Sequence, residues 1–381
     1  MSSENGKDAL AVLRSRQADF VRDLRHRYSS SDFECLSAIG TGAFGVVSLV
    51  RCKRTGDEFA LKQIRKDGML KKNHRDRIKA ERDLLSELKT EWVVTLHRTF
   101  QDSENLYMLM EYLPGGDLMS HLMKFDSFSE YQTKFYMGEL IEAVHAVHRL
   151  GFIHRDIKPD NIVLRADGHL KLIDFGLCKF SPFIRSESIA SDDRIHKSGT
   201  PHRLVHPNRA HLRSTVGTPQ YMAPEVIGKA YDQSSDFWSV GVIAFECLMG
   251  GTPFFDEEAR PDRKPDLKRI IHKVVNYKEY LLIPFPGKPL LSSPATLFLQ
   301  QLLCEASVRI GYDEIFSHSF FKDLGIPISE LNSLAAPIQP VVASIQKPSG
   351  IVLSSHHSVG MGKDRNLDFV GYTYNRSSVK N

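Results

Sequence analysis

The run His154-Arg155-Asp156-Ile157-Lys158-Pro159-Asp160-Asn161, followed thirteen residues later by Asp174-Phe175-Gly176, constrains this chain more than any other feature. It sets an acid, a lysine, an amide and a second acid in a fixed order. The first carboxylate suits a position beside a hydroxyl, and the amide and second carboxylate offer the oxygen donors that a hard divalent cation takes. A lone tripeptide from this run would be weak evidence. The rest of the chain supplies complementary parts in sequence.

A chain of 381 residues is long enough for two units with cores of their own. Its apolar and charged fractions are those of ordinary globular proteins, and a net charge of +4 names no partner. The five cysteines (Cys35, Cys52, Cys178, Cys247 and Cys304) are scattered without a CxxC pair. That argues against zinc and disulfides and for a reducing compartment, the cytosol or nucleus. No apolar run reaches membrane-spanning length, and Met1-Ser2-Ser3-Glu4-Asn5-Gly6 carries no signal-peptide or myristoylation pattern. The expectation is a soluble protein without membrane insertion.

Gly40-Thr41-Gly42-Ala43-Phe44-Gly45-Val46-Val47 follows a strand-like segment, Phe33 to Ile39. Glycines let a backbone approach phosphates closely. The GxGxxG spacing also fits a dinucleotide-binding turn, but that turn opens a helix. Here Val46-Val47-Ser48-Leu49-Val50 reads as a second strand, so a Gly-rich hairpin over a nucleotide is the better reading. Lys62 lies on the alternating pattern Phe59-Ala60-Leu61-Lys62. Arg75 to Leu88 has helical spacing, with Ile78, Leu84, Leu85 and Leu88 apolar, and offers Glu81 or, second, Glu87 as the lysine's partner. Tyr107 to Leu113 reads as a buried strand ending in Pro114-Gly115-Gly116-Asp117.

Together these segments resemble a protein kinase, and within that class the AGC group of serine/threonine kinases. The chain is similar to the NDR/LATS family, which includes the Dbf2-like members. Four features carry this: Ala80-Glu81-Arg82-Asp83-Leu84-Leu85, Leu113-Pro114-Gly115-Gly116-Asp117-Leu118, Ser214-Thr215-Val216-Gly217-Thr218-Pro219 after a stretched activation segment, and the tail Phe369-Val370-Gly371-Tyr372-Thr373-Tyr374.

The resemblance implies an α+β bilobal kinase fold. Residues 1–32 would be a basic regulatory segment and 33–321 the kinase domain, with a small lobe at 33–112, a large lobe at 113–321 and an insert at 181–213. Residues 322–381 would form the tail, with a hydrophobic motif at 369–374 and a linker from Ala335 to Lys363. ATP and Mg²⁺ are the implied cofactors. Ile39, Gly40, Gly42, Gly45, Val47, Ala60, Lys62, Met110, Glu111, Leu113 and Asp117 would contact ATP. Asn161 and Asp174 would hold metal. Asp156, Lys158, Lys62 and Glu81 would serve the reaction. Glu225 is expected to pair with Arg309, and Asp236 to tether the catalytic loop.

Phosphorylated Ser214 would meet Arg155 and Lys179. Asp117, Asp160, Glu246 and Thr218 would line the groove for a basic Ser/Thr peptide. Thr373 would be phosphorylated by an upstream kinase, and its tail would dock beside the Glu81 helix. Residues 7–28 read as an amphipathic helix whose Arg14, Arg16, Phe20, Arg22, Leu24 and Arg25 would bind an acidic Mob-type coactivator. Without that coactivator the Glu81 helix is expected to swing out. The basic insert would mask the site. Two other classes compete, a kinase-fold scaffold without catalysis and a nucleic-acid-binding module. The intact catalytic set argues against the first, and the dispersed basic clusters without a stacking pattern against the second.

Overall fold

Residues 26–42, 45–67, 72–181, 219–228, 232–256, 265–283, 290–341, 369 and 372–376 are described by the structure, a computed structural model. They sort into two units. The first takes in the chain up to Ser86, Thr95–Tyr112 and the tail from Ser344; the second takes in Glu87–Val94 and Leu113–Ala343. The sequence places 33–112 in one lobe, yet Glu87–Val94 clusters with the second unit. There Val94 N–H donates to Leu172 O (3.1 Å) and Leu172 N–H to Trp92 O (2.9 Å).

In the first unit, β1 (Phe33–Gly42), β2 (Gly45–Cys52), β3 (Glu58–Arg65), β4 (Leu96–Gln101) and β5 (Asn105–Glu111) form an antiparallel sheet in the order β1-β2-β3-β5-β4. Its β-branched and aromatic residues alternate so that Phe33, Val50, Cys52, Leu61, Phe100, Tyr107 and Leu109 make one core cluster. The helix α1 (Lys72–Glu87) contributes the buried residues Ile78, Leu84 and Leu85. Breaks of register in β1, at Cys35/Ser37 and Ala38/Gly40, bend the strand that leads into the Gly-rich turn. Gly45 is needed for packing: a Cβ there would lie 2.0 Å from Gln63 O on β3. The helix expected over 7–28 does not extend through His26–Ser29, which is not helical. The Tyr28 ring is instead stacked on Phe33, with the Arg98 guanidinium 4.4 Å from its centre.

The second unit is mainly helical. It contains α2 (Leu118–Phe125), α3 (Glu130–Arg149), α4 (Pro224–Ile227), α5 (Ser234–Met249), α6 (Leu267–Val275), α7 (Tyr277–Tyr280), α8 (Ser293–Leu302) and α9 (Tyr312–Phe316). Two ribbons accompany them: β6 (Phe152–Ile153) pairs with β9 (Lys179–Phe180), and β7 (Ile162–Leu164) with β8 (Leu170–Leu172). A reciprocal cap between Ser129 and Gln132 starts α3. α5 is buried on all sides, as its almost unbroken apolar sequence requires, and packs on α3 and α8.

The tail does not begin as a loose linker at Ala335. Ala336 and Ile338 are buried, and Ile338 N–H donates to Tyr136 Oη (3.3 Å), which itself donates to Gly168 O (3.1 Å). Gly168 has φ +88°, and a Cβ there would meet Ile338 O at 2.1 Å. The chain end returns to the first unit as β10 (Tyr374–Asn375), which pairs with Thr99 and Arg98 on β4. Among the described residues, no helix is long and apolar enough to cross a membrane.

Candidate active site

The candidate residues fall into two groups, one in each unit. On β3, Lys62 lies opposite Val47 of β2 and Met108 of β5, while Ala60 lies opposite Met110. Lys62 Nζ donates to Glu81 Oε1 at 2.7 Å, so Glu81, not Glu87, is the partner. The pair is sheltered, with side-chain exposures of 16% for Lys62 and 3% for Glu81. This corrects the expectation of a swung-out helix: α1 is engaged.

The chain end packs against α1. Tyr372 is fully buried with its ring 5.6 Å from the Arg82 guanidinium, and Tyr374 Oη donates to Ser86 O at 3.5 Å. Thr99 Oγ1 donates to Tyr372 O (2.5 Å), Gln101 Nε2 donates to Phe369 O (3.0 Å), and Lys66 Nζ lies 5.5 Å from the Phe369 ring centre. Thr373 is exposed between two held tyrosines. Ile39 and Gly40 are exposed on β1, and Gly42 closes that strand. Glu111 N–H is bonded to Thr95 O (3.0 Å), and its Oε1 accepts from Thr95 N–H (2.6 Å).

In the second unit, Lys158 Nζ donates to Asp156 Oδ2 at 2.9 Å, and Asn161 Nδ2 donates to the same oxygen at 3.1 Å and to Asp156 O at 2.8 Å. Asn161 thus commits its amide nitrogen to Asp156, which makes Oδ1 its atom for a cation. Asp174 follows β8 with φ 59° and an exposed carboxylate, and Phe175 beside it is buried edge-on to His154 at 4.9 Å. The oxygens of Asn161 and Asp174 fit a hard divalent cation that fills its shell with phosphate oxygens and water.

The loop is held from below. Asp236, with a side chain 1% exposed, accepts from His148 Nε2 (2.7 Å), His154 N–H (2.9 Å) and Arg155 N–H (2.9 Å). Burial alone would raise its pKa; the bonds from His148 and the backbone outweigh that and hold it below the ordinary carboxylate value. Burial pushes His154 down, so it carries no charge at neutral pH. Arg155 has φ 69°, a left-handed conformation costly for a side chain, and this tether over-determines it. Its Nε donates to Leu177 O at 2.8 Å, while Lys179 is exposed on β9 opposite Ile153. Arg309 grips Glu225 through two nitrogens, at 2.5 and 3.2 Å.

Three acids were expected along a substrate groove. Asp117 accepts from Ser120 N–H at 2.7 Å and so caps α2. Glu246 is buried and accepts from Tyr221 Oη at 2.6 Å. Burial pushes the Glu246 carboxyl up to about 7; the Tyr221 bond draws it back part-way, and the charge on neighbouring Asp160 adds to the rise. Asp160 itself is exposed on the turn Pro159–Asn161.

Against known proteins, residues 33–321 match the protein kinase domain. The serine/threonine-protein kinase CBK1 of Pneumocystis carinii is 38% identical over 98% of this chain and 80% of its own length. Tricornered of Drosophila melanogaster is 38% identical over 96% and 83%, and sax-1 of Caenorhabditis elegans 40% over 92% and 74%. The chain belongs to the NDR/LATS family of serine/threonine protein kinases. As a protein kinase it works with ATP and a divalent metal, on protein substrates.

For this NDR/LATS kinase, Ser214, Thr218, Arg14, Arg16, Phe20, Arg22, Leu24 and Arg25 lie outside the described residues, as does the insert from 182 to 213. Leu113 is half-buried at the start of the second unit's main segment. Sequence reasoning missed Tyr221 as the brace of Glu246, and Thr99 and Gln101 as the groups that bind the tail backbone. No local pattern marks any of these; only the fold brings them to their partners.

Proposed function

We propose that the chain transfers the γ-phosphate of Mg²⁺-ATP to serine or threonine in basic segments of protein substrates. The observation that supports this most is the Asp156 carboxylate, bonded at 2.9 Å by Lys158 and at 3.1 Å by Asn161. Asp156 orients the acceptor hydroxyl and takes its proton. Lys158 offsets the charge of the transferred group. Lys62, steered by Glu81, grips the α- and β-phosphates. Asn161 and Asp174 hold Mg²⁺, and the bound Mg²⁺-ATP supplies the activated phosphoryl group. Ile39, Gly40, Gly42, Gly45, Val47 and Ala60 enclose the nucleotide, Met110, Glu111 and Leu113 meet the base, and Asp117 meets the ribose. Asp117, Asp160 and Glu246 favour Arg or Lys upstream of the acceptor, whose own pocket Thr218 shapes.

Regulation is part of the proposal. Phosphate on Ser214 engages Arg155 and Lys179 and orders the activation segment. An upstream kinase modifies Thr373. A Mob-type coactivator binds Arg14, Arg16, Phe20, Arg22, Leu24 and Arg25, and the insert at 181–213 masks the site beforehand. The setting is growth, division or morphogenesis signalling of the Hippo/NDR kind, in the cytoplasm and nucleus.

The test is phosphate transfer to a basic serine peptide with and without a purified Mob protein, with Asp174→Ala as blank. Stimulation by Mob that is lost in Ser214→Ala or Thr373→Ala supports the whole reading. Activity indifferent to Mob removes the coactivator. Activity no greater than the blank, even with Mob and with both sites phosphorylated, shifts the assignment to a scaffold.

A further inference from the structure

The roles above leave one buried charged pair of the second unit unexplained. Glu139, fully buried in the middle of α3, accepts from His169 Nδ1 at 2.5 Å through Oε1 and from Leu170 N–H at 2.9 Å through Oε2. His169 is itself buried, with its ring centre 5.7 Å from that of Phe135 and 6.5 Å from that of Trp92. The pair fixes the turn between β7 and β8 to α3. Within that turn Arg165 N–H donates to His169 O (2.7 Å) and Gly168 N–H to Arg165 O (3.1 Å). The tail rests on the same turn. Tyr136 Oη, on the α3 side chain three residues before Glu139, donates to Gly168 O and accepts from Ile338 N–H, while Gln339 Nε2 donates to Asp167 O at 3.5 Å. Ile338 O approaches Gly168 too closely for any side chain to stand between them, so the turn cannot shift without disturbing the tail.

Among the described residues, the charged groups facing His169 are Glu139 from α3 and Arg165 and Asp167 from the turn, the last two paired with each other. Burial keeps the Tyr136 hydroxyl neutral, Lys171 Nζ on β8 donates to Val93 O (3.3 Å), and Ala336–Gln339 carry no titratable side chain. The Glu139 bond raises the His169 pKa above its ordinary 6.5, against the opposing effect of burial. Burial raises the Glu139 carboxyl, and the His169 bond draws it back part-way. Both groups therefore hold a proton more tightly in the folded chain, and both contributions weaken as pH rises. That of His169 is complete below about 6.5 and is lost as pH rises through its raised folded value.

We infer that the Glu139–His169 pair is a proton-operated latch for the tail, which holds Ala336–Gln339 on the β7–β8 turn while His169 is charged and releases them when it is neutral. A neutral imidazole leaves the Glu139 carboxylate buried without an opposite charge, and a buried charge that has lost its partner is costly. The cost is relieved when the turn lifts and water reaches the carboxylate. Ile338 N–H, the Gln339 amide and the side chains of Ala336 and Ile338 hold the tail there, whereas β7 and β8 are joined by a ladder of three residue pairs. The tail, with less to hold it, parts first. Its hold on the second unit is then firm in mildly acidic surroundings and weak in alkaline ones. This inference does not depend on which substrate the chain phosphorylates.

The test is amide hydrogen exchange on the full chain, read over 336–339 and corrected for the intrinsic rate at each pH. Protection there should fall about tenfold between about pH 6 and 9, with protection of 162–164 and 170–172 unchanged. Glu139→Gln keeps an acceptor for His169 and removes the charge, so it should hold the tail equally well across that range. His169→Gln, neutral beside an intact carboxylate, should give low protection at every pH. The coupling is reciprocal and is also read from the imidazole. NMR titration of His169 should show a midpoint above 6.5 in the native chain, and Ile338→Ala, which loosens the tail, should move it down toward that value. Protection over 336–339 that does not change with pH, a pH dependence that survives Glu139→Gln, or a His169 midpoint unmoved by Ile338→Ala overturns the latch. Should a variant at Glu139 or His169 fail to fold, exchange on the native chain and the Ile338→Ala titration still decide.

Discussion

Lys62–Glu81 in the first unit and Asp156–Lys158–Asn161 in the second are both sheltered polar groups, but they are held in different ways. The second hangs from Asp236, a buried carboxylate whose partners His148, His154 and Arg155 all lie within the body of the unit. The first depends on α1, and α1 is held on one flank by Tyr372 and Tyr374 from the chain end. A buried network of charge and backbone amides is lost only by unfolding the unit around it. A short terminal segment that buries two aromatic side chains, Phe369 and Tyr372, can leave at far lower cost. On the proposed reading the two units would divide the work: a firmly held site for the hydroxyl and metal, and a more adjustable grip for the phosphates.

The largest effects should come from the firmly held half. Asp156→Asn should lower kcat by about 10²–10⁴-fold with little change in stability. Asp236→Ala should lower both, costing about 3–5 kcal/mol because a buried charged partner is lost. Peptide phosphorylation and urea unfolding of the full chain check the two variants side by side. An Asp236→Ala chain as stable as its parent would show that the buried network is not what holds the loop.

The adjustable half should respond differently. Phe369→Ala/Tyr372→Ala should lower kcat about tenfold and raise amide hydrogen exchange across 72–87, with exchange near Asp156 unchanged. Equal loosening of both regions would erase the contrast between them.

Much of this was readable in the sequence because it is local. The order His154 to Asp174 sits on consecutive short elements, and the β-branched run after Gly45 forms a strand as its composition requires. The tether of His148 by Asp236 and the brace of Glu246 by Tyr221 join positions far apart, chosen by burial and not by spacing. The same holds for Gly45, whose lack of a side chain serves the approach of Gln63, and for Ile338, buried where composition suggests a loose linker. The contacts on the flank of α1 were not legible either, since they come from the distant chain end.

A smaller effect should come from pH. The folded pKa of Glu246, about 7, lies above the ordinary 4.5, so the protonated carboxyl favours the folded state. That stabilisation is complete below about 4.5 and is lost as pH rises through about 7. Over the same upper range the carboxylate gains the charge that would attract an arginine. KM for a basic peptide should therefore fall by up to about tenfold between about pH 6 and 8, as the ionised fraction grows. Glu246→Gln should flatten the profile. A profile that stays steep in Glu246→Gln would place the titrating group elsewhere.

The smallest effect tests how the tail is held. Tyr372 is fully buried, its hydroxyl has no hydrogen-bond partner among the described residues, and burial raises its pKa. A buried hydroxyl without a partner costs free energy, so its removal should not weaken the dock. Tyr372→Phe should match or exceed the native chain in stability, by up to about 1 kcal/mol, and leave kcat within about twofold. Tyr372→Ala, which removes the ring, should lose the grip on α1. The pair of variants separates ring packing and the Arg82 contact from any polar role of the tyrosine. If Tyr372→Phe fell as far as Tyr372→Ala, the hydroxyl would have to be bonded in the working enzyme, and the hold on α1 would be a polar latch instead of an aromatic one.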